Sequence, residues 1–423
     1  MRDGRTSGMR PGARRVLLVA VGTRGDVEPA ARLAQALLAQ GMAVAVAVLA
    51  DGAERVRAAG AVPVVVGPAS GAAMWWASPT AQSAARAVPA LSYLQLRERL
   101  SAGAARVVGT LAPWLRTSDV VLVGLALARL VPVLDRAGIP ARLVLHAPLL
   151  PHPAGTSTWA HPVTAHLPHQ LEDARQQLMW WLTTQLSAAA ARALSHELGL
   201  APVTARDRRR PERTAYPPLM STSPVLDPEP APGPVQTGFW GDLHPVRQLP
   251  AVLHRWLDRH PGALLLTQGS MPRTAPEQQV ARLLAAARAV GRPALLQVNG
   301  ATAGPRRGGL VIGEVDHRSL LERVDAILHH GGAGTTHVAT AAGVPQLVAP
   351  ELGDQWHWGR RVEALGLGRS VAARAGTARV ARRLDETLAA GPRAAASAAA
   401  VAERSRGQDG LRVAVAEVEA MDR

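Results

Sequence analysis

The sequence predicts an α/β protein made of two doubly wound halves that face each other across a cleft. Three observations carry this. Short, continuous apolar runs alternate with helical segments, as parallel strands covered on both faces do. The alternation stops at a proline-rich stretch and then restarts with a similar build. The chain, at 423 residues, is long enough for two domains.

Taken in order, Val16–Val21 reads as the first strand. Pro29 suits the first turn of a helix that runs to about Gln40 and ends at Gly41. Ala43–Leu49 and Val62–Val66 are strands, as are Val120–Val123 and Leu143–His146, with helical Leu125–Arg136 between the last two. Strand–helix–strand order, repeated, means a parallel sheet with right-handed crossovers. Residues 67–118 and 147–200 are longer, helical or irregular insertions, and they carry most of the tryptophan. Pro217-Pro218 and Pro224–Pro234 read as a stiff linker that few contacts should cross.

Beyond the linker, Ala263–Thr267, Ala294–Val298, Leu310–Val315, Ala326–His329 and Gln346–Ala349 are strands. Helices are expected at Glu277–Val290, Thr335–Ala342 and Gln355–Leu365. Residues 15–228 would then form the first domain and 229–423 the second, with residues 1–14 a disordered tail. The Ala-rich stretch from Thr377 reads as helices broken at Gly391-Pro392 and Gly407–Gly410, placed to pack back on the first domain. Ligand is expected at the carboxyl ends of the strands.

Composition excludes several chemistries. Hydrophobic residues make up 48% and charged ones 19%, a globular balance. There is no cysteine, hence no disulfide, thiolate nucleophile or zinc finger. All 47 basic residues are arginine, so a phosphate-binding or Schiff-base lysine is excluded. The net charge of +15 raises nucleic acid as a partner. It is discounted, because Arg for Lys and abundant Ala, Gly and Pro are what a GC-rich coding bias produces. No stretch reaches the ~18 apolar residues of a membrane span. The basic start and the short apolar run after it lack a cleavage pattern, so the expected location is cytoplasmic.

The strongest motif is His329–Gln355, HHGGAGTTHVATAAGVPQLVAPELGDQ. Gly331, Gly332 and Gly334 allow a sharp turn after a strand, and a helix begins near Thr335. Unpaired amides at that helix end make an anion site, to which His330 and Thr335 can add hydrogen bonds. Nothing nearby resembles a Mg²⁺ cage, so the helix end and His330 would neutralise a leaving diphosphate without metal. No metal site and no cofactor are expected.

This string resembles the donor signature of the family 1 glycosyltransferases of GT-B fold. It is most similar to the bacterial enzymes that decorate glycopeptide antibiotics, with the sterol and glycolipid enzymes related. Gly22–Pro29 (GTRGDVEP), Val235–Trp240, Gln268-Gly269-Ser270 and Glu314–His317 resemble further motifs of that group, and the matches span about residues 15–370. The resemblance implies two Rossmann-like domains, a nucleotide-sugar donor on the second and an acceptor on the first. It also implies residue roles. His330, Gly332, Ala333, Gly334, Thr335 and Ser270 would hold the diphosphate. Asp354 and Gln355 would bind the sugar hydroxyls, and Val315 would meet the nucleobase through its main chain. The ribose-binding Glu of the plant members is replaced by Val338, and their base-stacking Trp is missing.

Asp26 is the candidate general base, in the turn after the first strand. On spacing alone it reads as a helix cap. The motif around it favours the base, with Thr23 orienting acceptor or donor and His146 the next candidate. His152, His161, His166 and His169 with Asp173 match no standard zinc spacing and read as a polar loop. Trp75, Trp76, Trp159, Trp180 and Trp181 would line an apolar acceptor site or form the core of the insertions. The expected function is therefore inverting, metal-independent transfer of a hexose from a UDP- or dTDP-sugar. Its acceptor would be a hydroxyl of a hydrophobic small molecule, and a lipid acceptor would add peripheral membrane contact. The alternatives are a nucleotide-sugar epimerase of the same build and a non-catalytic sugar-nucleotide-binding partner.

Overall fold

The computed structural model describes residues 12–69, 89–152, 168–201, 214–228, 233–241, 243, 249–269, 275–351 and 353–421. Buried aliphatic strands form the centre of each of its two sheets. In the first half, β1 (Arg15–Val19), β2 (Ala43–Leu49), β3 (Val62–Gly67), β4 (Val120–Gly124), β5 (Ala141–Leu145), β6 (Leu219–Met220) and β7 (Val235–Gln236) pair in parallel, in the order β3-β2-β1-β4-β5-β6-β7. Helices α1 (Arg24–Ala39), α2 (Ala53–Ala58), α3 (Pro89–Thr117), α4 (Val131–Arg136), α5 (His169–Gln185) and α6 (Ala188–Glu197) cover it.

The second half repeats the plan. Strands β8 (Leu264–Thr267), β9 (Ala294–Gln297), β10 (Gly304–Arg306), β11 (Gly309–Val311), β12 (Ala326–His329), β13 (Gln346–Val348) and β14 (Gly368–Ser370) run in the order β10-β11-β9-β8-β12-β13-β14. Among the described residues only the β10–β11 pair is antiparallel. Its helices are α7 (Ala251–Arg259), α8 (Pro276–Ala289), α9 (His317–Leu321), α10 (Ala333–Ala342), α11 (Gln355–Ala364), α12 (Thr377–Ala389), α13 (Gly391–Arg406) and α14 (Gly410–Glu419).

Four expectations are corrected. Helix α1 begins at Arg24, so Pro29 lies in its second turn, where its missing N–H forgoes one helix bond. The strand expected over 310–315 stops at Val311, because Gln297 Nε2 takes the Gly313 carbonyl at 3.1 Å and Asp316 caps α9. Helix α10 starts at Ala333, two residues before Thr335. The first sheet continues past residue 228, since β7 pairs with β6 beyond the proline-rich stretch.

That stretch does not isolate the halves. Trp240 packs with Ala414, Val415, Val418 and Met421 of the C-terminal segment against the α1 face of the first sheet. On the opposite face, Trp358 and Val362 of α11 join the core of α3, α6 and β4. Among the described residues no helix is long and apolar enough to cross a membrane.

Candidate active site

Strand β12 delivers His329 and His330 to the glycine turn. His329 is fully buried and accepts from Gly331 N–H at Nδ1 (3.1 Å), which places its proton on Nε2, facing Gln346 Oε1 at 3.0 Å. Gln346 Nε2 in turn donates to Thr340 Oγ1 at 3.0 Å. Burial pushes the His329 imidazole down to about 3, so it stays neutral and holds the turn. Gly331 has φ +87°, and a Cβ there would lie 2.7 Å from Val348 and 2.9 Å from the Gln355 carbonyl.

The His330 ring lies between two glycines. A Cβ on either Gly269 or Gly332 would fall 2.5 Å from it. Gly332 caps α10 and offers no side chain, and the first helix bond is Thr336 N–H to Gly332 O at 3.0 Å. The amides of Ala333, Gly334 and Thr335 therefore face the turn without helix acceptors. His330, Gly332, Ala333, Gly334 and Thr335 thus lie together at the start of α10, where the free helix amides are. Ser270 lies outside the described residues.

The matching turn after β1 is built differently. Thr23 is the N-cap of α1, and Asp26 is the third helical residue. Asp26 Oδ2 accepts from Thr23 N–H (2.8 Å) and from Thr23 Oγ1 (3.4 Å), while Thr23 Oγ1 accepts from Gly25 N–H (3.4 Å). The cap is thus Thr23, and Asp26 closes a capping box. Burial pushes the Asp26 carboxyl up to about 6, and Asp354 of the other half adds repulsion. A Cβ on Gly22 would collide with Asp26 Oδ2, a need for glycine that spacing did not reveal. Asp26, Gly124, His146 and Trp240 line one small cavity at the strand ends. His146 Nδ1 is 2.7 Å from Ser221 Oγ, its ring meets Trp240 edge-on, and burial lowers it to about 4.

In the other half Asp354 stands at the N-cap position of α11 without a side-chain cap bond, and Trp358 Nε1 donates to its Oδ2 at 2.8 Å. Burial also raises the Asp354 carboxyl. Gln355 is buried beside it, with Oε1 accepting from Glu351 N–H at 2.8 Å.

Val315 is half-buried in a turn held by side chains that sequence reading missed. Gln297 Oε1 accepts from Thr267 Oγ1 (3.1 Å) and sits 2.6 Å from His317 Nε2. Asp316 caps α9 and pairs with Arg318 at 2.6 Å. From the first half, Arg24 and Arg55 reach Glu314 at 2.6 and 3.3 Å.

The insertions are partly described. Trp180 is core and Trp181 is 40% exposed, while Trp75, Trp76 and Trp159 lie outside the described residues. So do His161 and His166; His152 donates its N–H to Gln176 Oε1 at 2.7 Å. Among the described residues no three His, Asp or Glu side chains converge as a metal site.

Residues 310–410 match the family described as erythromycin biosynthesis protein CIII-like, C-terminal domain. Over 371 residues the chain is 34% identical to vancomycin aglycone glucosyltransferase of Amycolatopsis orientalis, covering 84% of this chain and 85% of that protein. The glycosyltransferase of kitacinnamycin has the same fold, with TM-score 0.67 at 20% identity over 98% of this chain and all of the other. The crystal structure of LpCGTa in complex with UDP aligns with TM-score 0.63 at 20% identity over 96% and 99%.

Proposed function

Since the chain belongs to the family 1 glycosyltransferases of GT-B fold, we propose that it carries out inverting, metal-independent transfer of a hexose from a UDP- or dTDP-sugar to a hydroxyl of a hydrophobic small molecule. One observation carries the reading: Asp26, half-buried in the first turn of α1, has its carboxyl raised chiefly by burial and further by Asp354 at the start of α11 in the other half. Between them, an acceptor hydroxyl and an anomeric carbon would meet. The acceptor oxygen forms the new bond to that carbon as its proton passes to Asp26. The bond from the carbon to the diphosphate breaks on the far face, and the nucleoside diphosphate leaves with the electron pair. Displacement from the opposite face inverts the centre.

Each half has a task in this scheme. A carboxyl titrating near 6 is ionised at neutral pH yet basic enough to take a proton. The open end of α10 and His330 meet the charge on the leaving group. Asp354 and Gln355 suit sugar hydroxyls, and the Gly313–Asp316 turn suits the nucleobase. The relatives' names point to an antibiotic-type aglycone as acceptor. The glycosyltransferase relatives favour transfer over the epimerase and the silent binding partner.

A thermal-shift panel of UDP- and dTDP-sugars tests the reading, because a ligand at 100 times its Kd adds ~2.7 kcal/mol. One nucleotide series should stabilise the protein, and transfer to a glycopeptide aglycone should survive EDTA. Absence of any shift would overturn the donor assignment. Loss of activity with EDTA, restored by Mg²⁺ or Mn²⁺, would overturn the metal-free scheme.

A further inference from the structure

Both helices that frame the donor site grip one short turn of the first half. Between β6 and β7 the chain turns at Ser223–Asp227, where the N–H groups of Leu226 and Asp227 donate to Ser223 O. Gln236 of β7 ties this turn to the first sheet, its Nε2 donating to Asp227 O (2.8 Å) and Thr222 Oγ1 (3.1 Å). From α10, His337 Nε2 accepts the N–H of Ser223 at 3.0 Å. Its Nδ1 then carries the proton and donates to Ala333 O at 2.7 Å.

The ring is buried. It stacks on Phe239 with centroids 4.4 Å apart and meets Trp358 edge-on. From α11, Arg361 Nε donates to Leu226 O at 2.6 Å, and His357 Nε2 lies 3.5 Å from Asp227 Oδ1. The N-terminal ends of these two helices carry the diphosphate cradle and Asp354.

We infer that His337 is a positioning residue for glycosyl transfer: by gripping Ser223 it fixes the distance between the open end of α10 and Asp26. The inference rests on the proposed transfer reaction. The imidazole touches no reacting atom, and it acts through the helix whose first carbonyl it also holds. A displacement of ~1 Å between reacting groups can cost about 10²-fold in rate. Donor binding draws on the second half, where the ring supports only the Ala333 carbonyl, so donor affinity should change far less than the rate.

The test measures kcat, donor Kd and Tm for His337→Phe and His337→Gln. Phe keeps the stack on Phe239 but leaves Ser223 N–H without its acceptor. Gln can present Oε1 where Nε2 stood. The expected result is a kcat lower by about 10- to 100-fold for Phe, donor Kd within about threefold, and recovery of most of the rate by Gln. Parallel loss of kcat and donor affinity, or equal kcat for Phe and wild type, overturns the inference. Should Phe not fold, Arg361→Met loosens the same turn from α11 and must show the same split; wild-type kcat there overturns it equally. A wild-type protein that neither binds nucleotide sugars nor transfers them defeats the underlying reading instead, which separates the two failures.

Discussion

The turns after β1 and after β12 are the same device with two positions changed. Each follows a central strand of a parallel sheet and opens a helix. Thr23 caps α1 where Gly332 caps α10, and Asp26 stands third in its helix where Thr335 stands third in the other. A helix start attracts negative charge through its unpaired amides. The first turn supplies that charge itself, as a carboxylate returning to Thr23 N–H. The second has neither a capping side chain nor an acid and leaves the amides to a ligand. The cap and the third helical position together separate a turn that presents a base from a turn that would hold a diphosphate.

The largest effect should come from breaking the first turn. Asp26→Asn keeps an oxygen for Thr23 N–H, so the cap survives and Tm should hardly move. Turnover should fall by ~10²–10⁴-fold, the usual worth of a positioned general base. Donor affinity should persist, because the donor belongs to the other half. Turnover within about threefold of wild type would leave Asp26 as a cap alone and make His146 the next residue to change.

Making the second turn resemble the first should cost nearly as much. Thr335→Asp places a carboxylate where α10 now has none. Without ligand the helix should gain ~0.3–1 kcal/mol from its own charge. Nucleotide-sugar binding should weaken by several kcal/mol through like-charge repulsion, and the thermal shift should vanish. A shift as large as that of wild type would show that the diphosphate does not sit at this helix end.

This difference was only partly legible in the sequence. The glycine turn and the open start of α10 could be read from HHGGAGTT, because consecutive glycines after an apolar strand leave few structures. The Thr23–Asp26 box was also present, yet Pro29 drew the helix start too far along the chain. The long strands were readable because both their faces are buried. β6 and β7 have two residues each, too few for any periodicity. The repulsion between Asp26 and Asp354, and the grip of His337 on Ser223, join residues far apart in sequence. Local pattern cannot report such contacts, and the prolines between 224 and 234 suggested the opposite.

His330→Ala should slow transfer by ~2.7–4 kcal/mol, as loss of one transition-state donor to the leaving charge does. Free nucleotide should bind somewhat more weakly. The fold should hold, since His329 rather than His330 bonds Gly331 and Gln346. Unchanged kinetics in a folded variant would leave the α10 amides as the whole cradle.

The smallest effect is also the one that ties base and cap together. The Asp26 carboxyl has an ordinary value of 3.8 and is raised to about 6 in the fold. Between those values the native chain holds a proton that the unfolded chain has released. Acidification through that window therefore stabilises the native state through this group while removing its basic form. Activity and stability should move in opposite directions. From neutral pH to one unit below the Asp26 value, kcat/KM should fall about tenfold, with an apparent value shared between Asp26 and Asp354 because the two repel. Over the same range wild type should gain stability relative to Asp26→Asn, which cannot take up the proton. Denaturant midpoints for both proteins, measured beside the rate profile, give the comparison. A stability difference flat with pH would mean that the carboxyl is not desolvated. A rate profile that turns down only near the ordinary carboxylate range would place the base outside the β1 turn.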